Sequence, residues 1–261
     1  MAAIKTHANP FKPSLGSRLL WLGVLVYLIY AVVTLDIGWD RFILGLEQGG
    51  RLVDRLFPPN FNRWEILLSD LIESLQIAII ASVFGIVISL FVGLMAARNL
   101  MPNIISIPVR VFIALCRTFH PVIIAILFVK AVGFGALAGI LTLIVASVGF
   151  IAKLFAEAIE EISFKQVEAI RATGASFAST ILFGVLPQVF SRFIGFSIYQ
   201  LDSNLRNSTM VGIVGAGGLG GTLFAAFQRF DYDFVTAILL TIIALILVGE
   251  ALSNLVRRIF Q

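Results

Sequence analysis

Residues 163–187 read SFKQVEAIRATGASFASTILFGVLP, the one long segment between hydrophobic runs that is neither a membrane span nor a featureless loop. Ser163, with Gln166 three residues on, has the form of a capping box, in which each side chain satisfies backbone donors at a helix start. Phe164, Val167 and Ile170 recur at helical spacing. They predict a short helix with one apolar face and one face carrying Lys165, Glu168 and Arg171. Gly174 falls where a left-handed C-terminal cap ends that helix. A second short helix from about Ser176 runs to Pro187, at the start of the next span. Two readings fit: a helix–turn–helix plug whose apolar ridge suits a groove on a partner, or an interfacial helix lying on lipid.

Composition sets what surrounds this segment. At 261 residues, 59% hydrophobic and 13% charged, with mean hydropathy +1.00, the chain departs from soluble domains, where about 25% of residues are charged. It reads as an all-α polytopic membrane protein of about six transmembrane helices. The net charge of +4 does not require a nucleic-acid partner, because Lys and Arg accumulate on the cytoplasmic side of spans. A single cysteine, Cys116, excludes an internal disulfide and a cysteine-based metal cluster, and His7 and His120 lie too far apart to suggest zinc. No metal site is expected.

Working outward, residues 1–17 read as a polar cytoplasmic tail. Residues 18–65 read as an N-terminal span, about 19–35, and an extracytoplasmic linker whose Trp39, Phe57, Phe61 and Trp64 suit the membrane interface. The first run also has signal-peptide length, but no small-x-small cleavage site follows, so it is taken as retained. Residues 66–258 hold the core. In the span at about 71–97, Ala81, Gly85, Ser89, Gly93 and Ala97 recur every four residues, a stripe that lets helix backbones approach closely. The span at 105–131 carries Arg117, Thr118, His120 and Pro121 near its middle. Proline there predicts a kink or break, and arginine at that depth costs at least about 2.5–3.5 kcal/mol. A span at 137–161 leads through Lys153, Glu157, Glu160 and Glu161 into the opening segment. The next begins near Gln188, residues 215–232 read as a loop, and a last span covers 233–256. With both termini and residues 163–187 inside, Lys5, Lys12, Arg18, Arg98, Arg110, Lys165, Arg171, Arg257 and Arg258 gather on the cytoplasmic face.

The polar residues within spans mark a candidate path. Gln200, Asp202, Asn204, Arg206 and Asn207 are too polar for a lipid-facing helix. With Arg117 and His120 they read as the lining of a route for a small oxyanion, the arginines supplying positive potential. The structural reading stands beside it: Asp202 and Arg206 pair at i,i+4, and Arg117 reaches a carbonyl or the interface. Gly215-Ala216-Gly217-Gly218-Leu219-Gly220 matches GxGxxG, but a dinucleotide site needs a preceding strand and a later acid. Gly215, Gly217, Gly218 and Gly220 are read instead as a tight re-entrant turn at the path's outer mouth. No GxxxxGK[ST] occurs, so nucleotide hydrolysis is not expected in this chain, and no catalytic constellation is found.

Glu168-Ala169-x-x-x-x-Gly174, with Leu186-Pro187 at the matching distance, resembles the EAA loop of bacterial ABC-importer permeases. Ile170 stands where that pattern has a third small residue, and Gly184 where a large aliphatic is usual. The resemblance covers roughly residues 65–258. Ala96-Ala97-Arg98-Asn99, Arg171-Ala172-Thr173-Gly174-Ala175, Val185-Leu186-Pro187-Gln188 and Gly212-Ile213-Val214-Gly215-Ala216-Gly217-Gly218 look like the phosphonate-type branch. The resemblance implies a five-helix type I permease core in the bacterial inner membrane and a two-fold dimer of this chain. It implies two ATP-binding subunits, which use ATP and magnesium, and an extracytoplasmic substrate-binding protein; no cofactor is expected on this chain. It further implies that Val167, Glu168, Ala169, Ile170, Arg171, Thr173, Gly174 and Ala175 couple to the ATPase. The implied cargo is a phosphonate, phosphite or hypophosphite, with another small solute as the alternative. Two other classes stay open: an ion-coupled secondary transporter, whose uptake survives ATP depletion, and a membrane enzyme or assembly factor.

Overall fold

A computed structural model describes residues 15–35 and 38–260; the tail expected at residues 1–17 lies mostly outside them. The chain divides into two compact units, one ending at Arg55 and one beginning at Leu56. The first holds α1 (Leu15–Thr34) and nearly all of α2 (Trp39–Leu56). Within the linker expected up to residue 65, residues 39–56 are helical because Trp39, Phe42, Ile43, Leu46 and Val53 make one apolar stripe, with Arg41, Glu47, Gln48, Arg51 and Asp54 off it. Glu47 and Arg51 pair one turn apart.

The second unit begins ten or so residues before the expected boundary at 65/66, and its ties explain why. The Asn60 amide donates to Asp233 at 2.9 Å, Arg63 pairs with Asp231, and the Arg63 guanidinium lies 4.1 Å from the Phe234 ring centroid. Its helices are α3 (Trp64–Ala96), α4 (Asn103–Thr118), α5 (Pro121–Val132), α6 (Ala136–Glu160), α7 (Phe164–Ala172), α8 (Phe177–Thr180), α9 (Leu186–Gly212), α10 (Leu219–Gln228) and α11 (Tyr232–Phe260). Among the described residues, five helical stretches are long and apolar enough to cross a membrane, with α8 to α9 counted as one, and six if α4 and α5 form one span. α4 and α5 meet at 94°, the break expected at His120–Pro121. His120 caps α5, its Nδ1 accepting from the Val122 amide at 3.3 Å, and Pro121 opens the helix where a missing N–H costs nothing.

α3 and α6 form the centre of the bundle. Ala81, Gly85, Ser89, Gly93 and Ala97 are all buried. A Cβ on Gly85 would stand 2.5 Å from the Ser147 Cβ and one on Gly93 2.8 Å from the Phe155 ring, so the stripe is the contact face toward α6. α9 crosses both helices, and here the sequence expectation needs correcting. Gln200 is 4% and Asn204 0% exposed, and neither lines a wet path. The Gln200 amide donates to the Ser147 hydroxyl at 3.1 Å and to the Asn204 carbonyl at 3.0 Å. The Asn204 amide donates to Ser82 and Ser147, both at 2.9 Å. Three helices are thereby pinned by a satisfied polar knot, in a medium where interhelical bonds of this kind are worth about 0.6–1.7 kcal/mol each. Asn204→Ala is expected to lower the stability of the detergent-solubilised chain by about 2 kcal/mol. A denaturation midpoint unchanged from wild type would contradict it.

Residues 215–232 are not loop throughout, since Leu219–Gln228 form α10. Gly215, Gly217 and Gly218 have φ of 94°, 86° and 72° and turn the chain back into α10. The turn sits against the start of α3, where the Leu219 amide donates to the Ser74 hydroxyl at 2.9 Å.

Candidate functional site

α7 hangs between the C-terminal end of α6 and the N-terminal end of α9. Ser163 is its N-cap, but the capping box does not form, because no side chain of the pair caps a backbone donor. Gln188 takes the role expected of Gln166. Its Oε1 accepts from the Ser163 amide at 3.1 Å, while its Nε2 donates to the Gly184 carbonyl at 2.6 Å. Both roots of the segment are therefore held by one side chain. Glu161 and Arg192 pair across the same gap at 2.6 Å. α6 ends with Glu157, Glu160 and Glu161, an unfavourable sign for a helix C-terminus, and each is met by a cation: Lys153, Arg110 and Arg192.

The apolar ridge of α7 does not point outward, which corrects the idea that it fits a partner's groove. Val167 is fully buried and Phe164 and Ile170 are half-buried, with Val167 and Ile170 packed on the returning part of the segment. That return is α8 followed by one π turn, Ile181–Val185. Here the Leu186 amide reaches the Ile181 carbonyl five residues back, and the chain continues through Pro187 into α9 rather than stopping. A π turn absorbs the register that a proline, lacking its N–H, breaks in an α ladder. Of the expected coupling residues, Val167 and Ile170 position the helix. Glu168, Ala169, Arg171, Thr173 and Gly174 are exposed, and Ala175 half-buried. Gly174 has φ of 78° with its amide bonded to the Arg171 carbonyl at 3.0 Å, the left-handed stop expected from its position.

The two departures from the resembled pattern explain each other. A Cβ on Gly184 would lie 3.3 Å from the Ile170 Cδ1 and 3.5 Å from the Val167 Cα. Large at 170 is matched by nothing at 184. Gly184→Leu is therefore expected to cost about 2 kcal/mol by overpacking, and adding Ile170→Ala to restore at least half. Purely additive midpoints for the two changes would refute the coupling.

The remaining candidate residues fall into separate places. Asp202 is buried and paired with the half-exposed Arg206 on α9. Asn207 is half-buried and bonded to Ser203 at 3.3 Å. Tyr199, Arg206 and Met210 lie exposed along one stripe of α9, opposite the polar knot. The spacing 200, 204, 208 and 211 against 199, 203, 206 and 210 would have separated the two faces by helical period alone. Arg117 is not near this group. It lines a cavity of about 300 Å³ with Arg98, Arg110, Lys153 and Glu157. His120 is an exposed helix cap. Gly215 faces Phe134 between α5 and α6, and Gly217, Gly218 and Gly220 face the chain's own helices: a Cβ on Gly217 would stand 2.6 Å from the Glu73 carboxylate, and one on Gly220 would overlap the Thr209 carbonyl. That leaves no open cradle there for a dinucleotide.

The profile of the binding-protein-dependent transport system inner membrane component family matches residues 85–261. The phosphite transport system permease protein PtxC of Stutzerimonas stutzeri is 38% identical over 248 residues, 95% of this chain and 90% of that protein. The phosphate-import permease protein PhnE of Mycolicibacterium smegmatis is 38% identical over 255 residues, 97% of this chain; the chain spans 48% of that longer protein. Among solved structures, a chain of the MetNI methionine ABC transporter in an inward-facing conformation superposes with a TM-score of 0.67. It is 23% identical and the match covers 77% of this chain and 99% of that one, a likeness of fold.

Proposed function

The chain belongs to the binding-protein-dependent transport system inner membrane components, a non-catalytic, multi-pass permease subunit of an ABC importer, and we propose that it carries a small phosphorus oxyanion across the bacterial inner membrane. The relatives named for phosphite and phosphate import support that cargo class; within it, phosphonate, phosphite and hypophosphite share the tetrahedral anionic chemistry. The family works with an ATPase and a substrate-binding partner. In our reading two copies of this chain form a two-fold dimer, because each offers a single coupling segment. Two ATP-binding subunits, using ATP and magnesium, meet the exposed face of α7 at Glu168, Ala169, Arg171 and Thr173. An extracytoplasmic binding protein delivers the ligand to the opposite face, and both termini are cytoplasmic.

The observation that carries the coupling proposal is the clamped geometry of α7. Its apolar side is consumed within the chain and its roots are tied by Gln188 and by Glu161–Arg192. A push on the exposed face is thus transmitted to α6 and α9 together. Alternating access follows as those helices tilt. The exposed stripe of Tyr199, Arg206 and Met210, with Asn207 beside it, is the path-facing side of α9 in this reading. A buried Asp202 beneath Arg206 fixes the guanidinium while leaving its outer edge free for an anion.

The test is uptake of radiolabelled phosphite and methylphosphonate by cells carrying the complete transporter. ATP-dependent uptake is expected, reduced about tenfold in Arg206→Gln at wild-type protein levels. A cysteine at position 168 is expected to cross-link to the ATPase subunit. Uptake that follows an ion gradient and survives ATP depletion would overturn the proposal, as would labelling of position 168 from outside the cell.

A further inference from the structure

The cavity beside Arg117 joins residues from three elements: Arg98 just past α3, Arg110 and Arg117 on α4, and Lys153 and Glu157 on α6. Two of its cations are already committed. Arg110 is held by the Ala96 carbonyl at 2.8 Å and by Glu160 at 2.5 Å, and Lys153 lies 3.5 Å from Glu157. Arg98 uses only its backbone amide, toward Glu160. Among the described residues neither the Arg98 nor the Arg117 side chain has a carboxylate or carbonyl partner. Even with Glu157 and Glu160 both set against the four cations, two positive charges remain unmatched around about 300 Å³. The base of the Arg117 side chain runs close to α6, where a Cβ on Gly149 would stand 2.9 Å from its Cγ. The stem lies against α6 only because that position has no side chain.

Two arginines without an acidic partner, lining one small, open cavity, supply the chemistry that recognises tetrahedral oxyanions, through forked N–H donors. The opposite face of α4, with Ile104, Ile107, Val111 and Leu115, is exposed and apolar. We propose that this cavity is a binding site for a phosphorus oxyanion of the phosphate class, either free or as the headgroup of an anionic lipid. Arg98 and Arg117 are its principal ligands, and Arg110 and Lys153 its supporting charge. The site is separate from the α9 path and does not rest on the cargo proposed above. Occupancy bridges the α3–α4 turn to the last turns of α6, three residues before α7 begins.

The full-length chain is reconstituted in nanodiscs of phosphatidylcholine alone, or with phosphatidylglycerol. Inorganic phosphate is titrated by calorimetry, with chloride as control, and retained lipid is read by native mass spectrometry. Arg98→Gln/Arg117→Gln is the disrupting variant, its glutamine keeping the stem contact at Gly149. Arg98→Lys/Arg117→Lys keeps the charge, and thermal melting verifies folding. Should the double glutamine variant fail to fold, Arg98→Gln alone, at an exposed turn, replaces it. Saturable phosphate binding in phosphatidylcholine, weakened at least about tenfold in the glutamine variant, assigns a free anion. No phosphate binding, but phosphatidylglycerol retained by wild type and lost from the glutamine variant, assigns a lipid headgroup. Neither ligand held, or either one held undiminished by the glutamine variant, overturns the site. Failure of the phosphite uptake assay leaves all of these readouts unchanged.

Discussion

Gly174→Val is expected to abolish coupled uptake while the assembled transporter still hydrolyses ATP. The backbone at this position has φ of 78°, where a β-branched residue is strained by about 1–3 kcal/mol. Nothing crowds the position, since a Cβ there would meet no heavy atom within 4 Å. The loss would therefore come from backbone conformation and not from steric overlap. Relaxing that strain requires the turn between α7 and α8 to change its path. The exposed face bearing Glu168 and Arg171 would then rotate relative to the roots clamped by Gln188. Folding should persist, because the polar knot and the α3–α6 seam lie at the other side of those roots. The measurement is a pair: substrate-stimulated ATPase activity and uptake in proteoliposomes of the reconstituted complex. A drop in uptake of tenfold or more with retained ATPase activity is expected, and wild-type coupling would remove α7 from the mechanism. Gly174→Ala, with a smaller side chain, should fall between.

Gly220→Val is expected to prevent accumulation of the protein altogether. A Cβ there would overlap the Thr209 carbonyl and stand 2.9 Å from the Gly212 Cα. α10 could not then fold back on α9, and Leu219, Phe234 and Ile238, buried together at that end, would lose their seal. Backbone cannot yield as a long side chain can, so the cost is put at about 3 kcal/mol or more. The check is the amount of monodisperse protein recovered from membranes by size exclusion. Recovery at the wild-type level would show that the glycine turn is more pliable than the packing implies. The contrast with Gly174 is informative, because one glycine is required by φ and the other by proximity.

Reading the chain as helices needs no tertiary information. The apolar runs are long enough to span, Pro121 breaks the third of them, and the four-residue stripe in α3 declares a packing face before its partner is known. Ser163, Gly174 and Pro187 likewise delimit α7 to α9 from local preference alone. What failed did so for identifiable reasons. In α2 the mixed charge obscures a regular apolar stripe. Composition alone groups Gln200 and Asn204 with Arg206, although i,i+4 spacing sets them on a different face.

Other features had no local signal. Gln188 replaces Gln166 at the foot of α7 because the chain returns beside its own start, twenty-five residues later. Ile170 and Gly184 each look like an oddity until the turn brings them together, so close that a Cβ on Gly184 would stand 3.3 Å from the Ile170 Cδ1. Arg98, Arg117 and Lys153 share one cavity although they are drawn from three elements. By itself the sequence determined which segments are helical, where they break and that they live in lipid, since these depend on side-chain polarity and backbone preference within a few residues. The tertiary structure alone decided which polar groups are spent on one another and which remain free to meet a partner or an anion. Satisfaction of a hydrogen bond or a charge is settled by distance in space, and chain order does not report it.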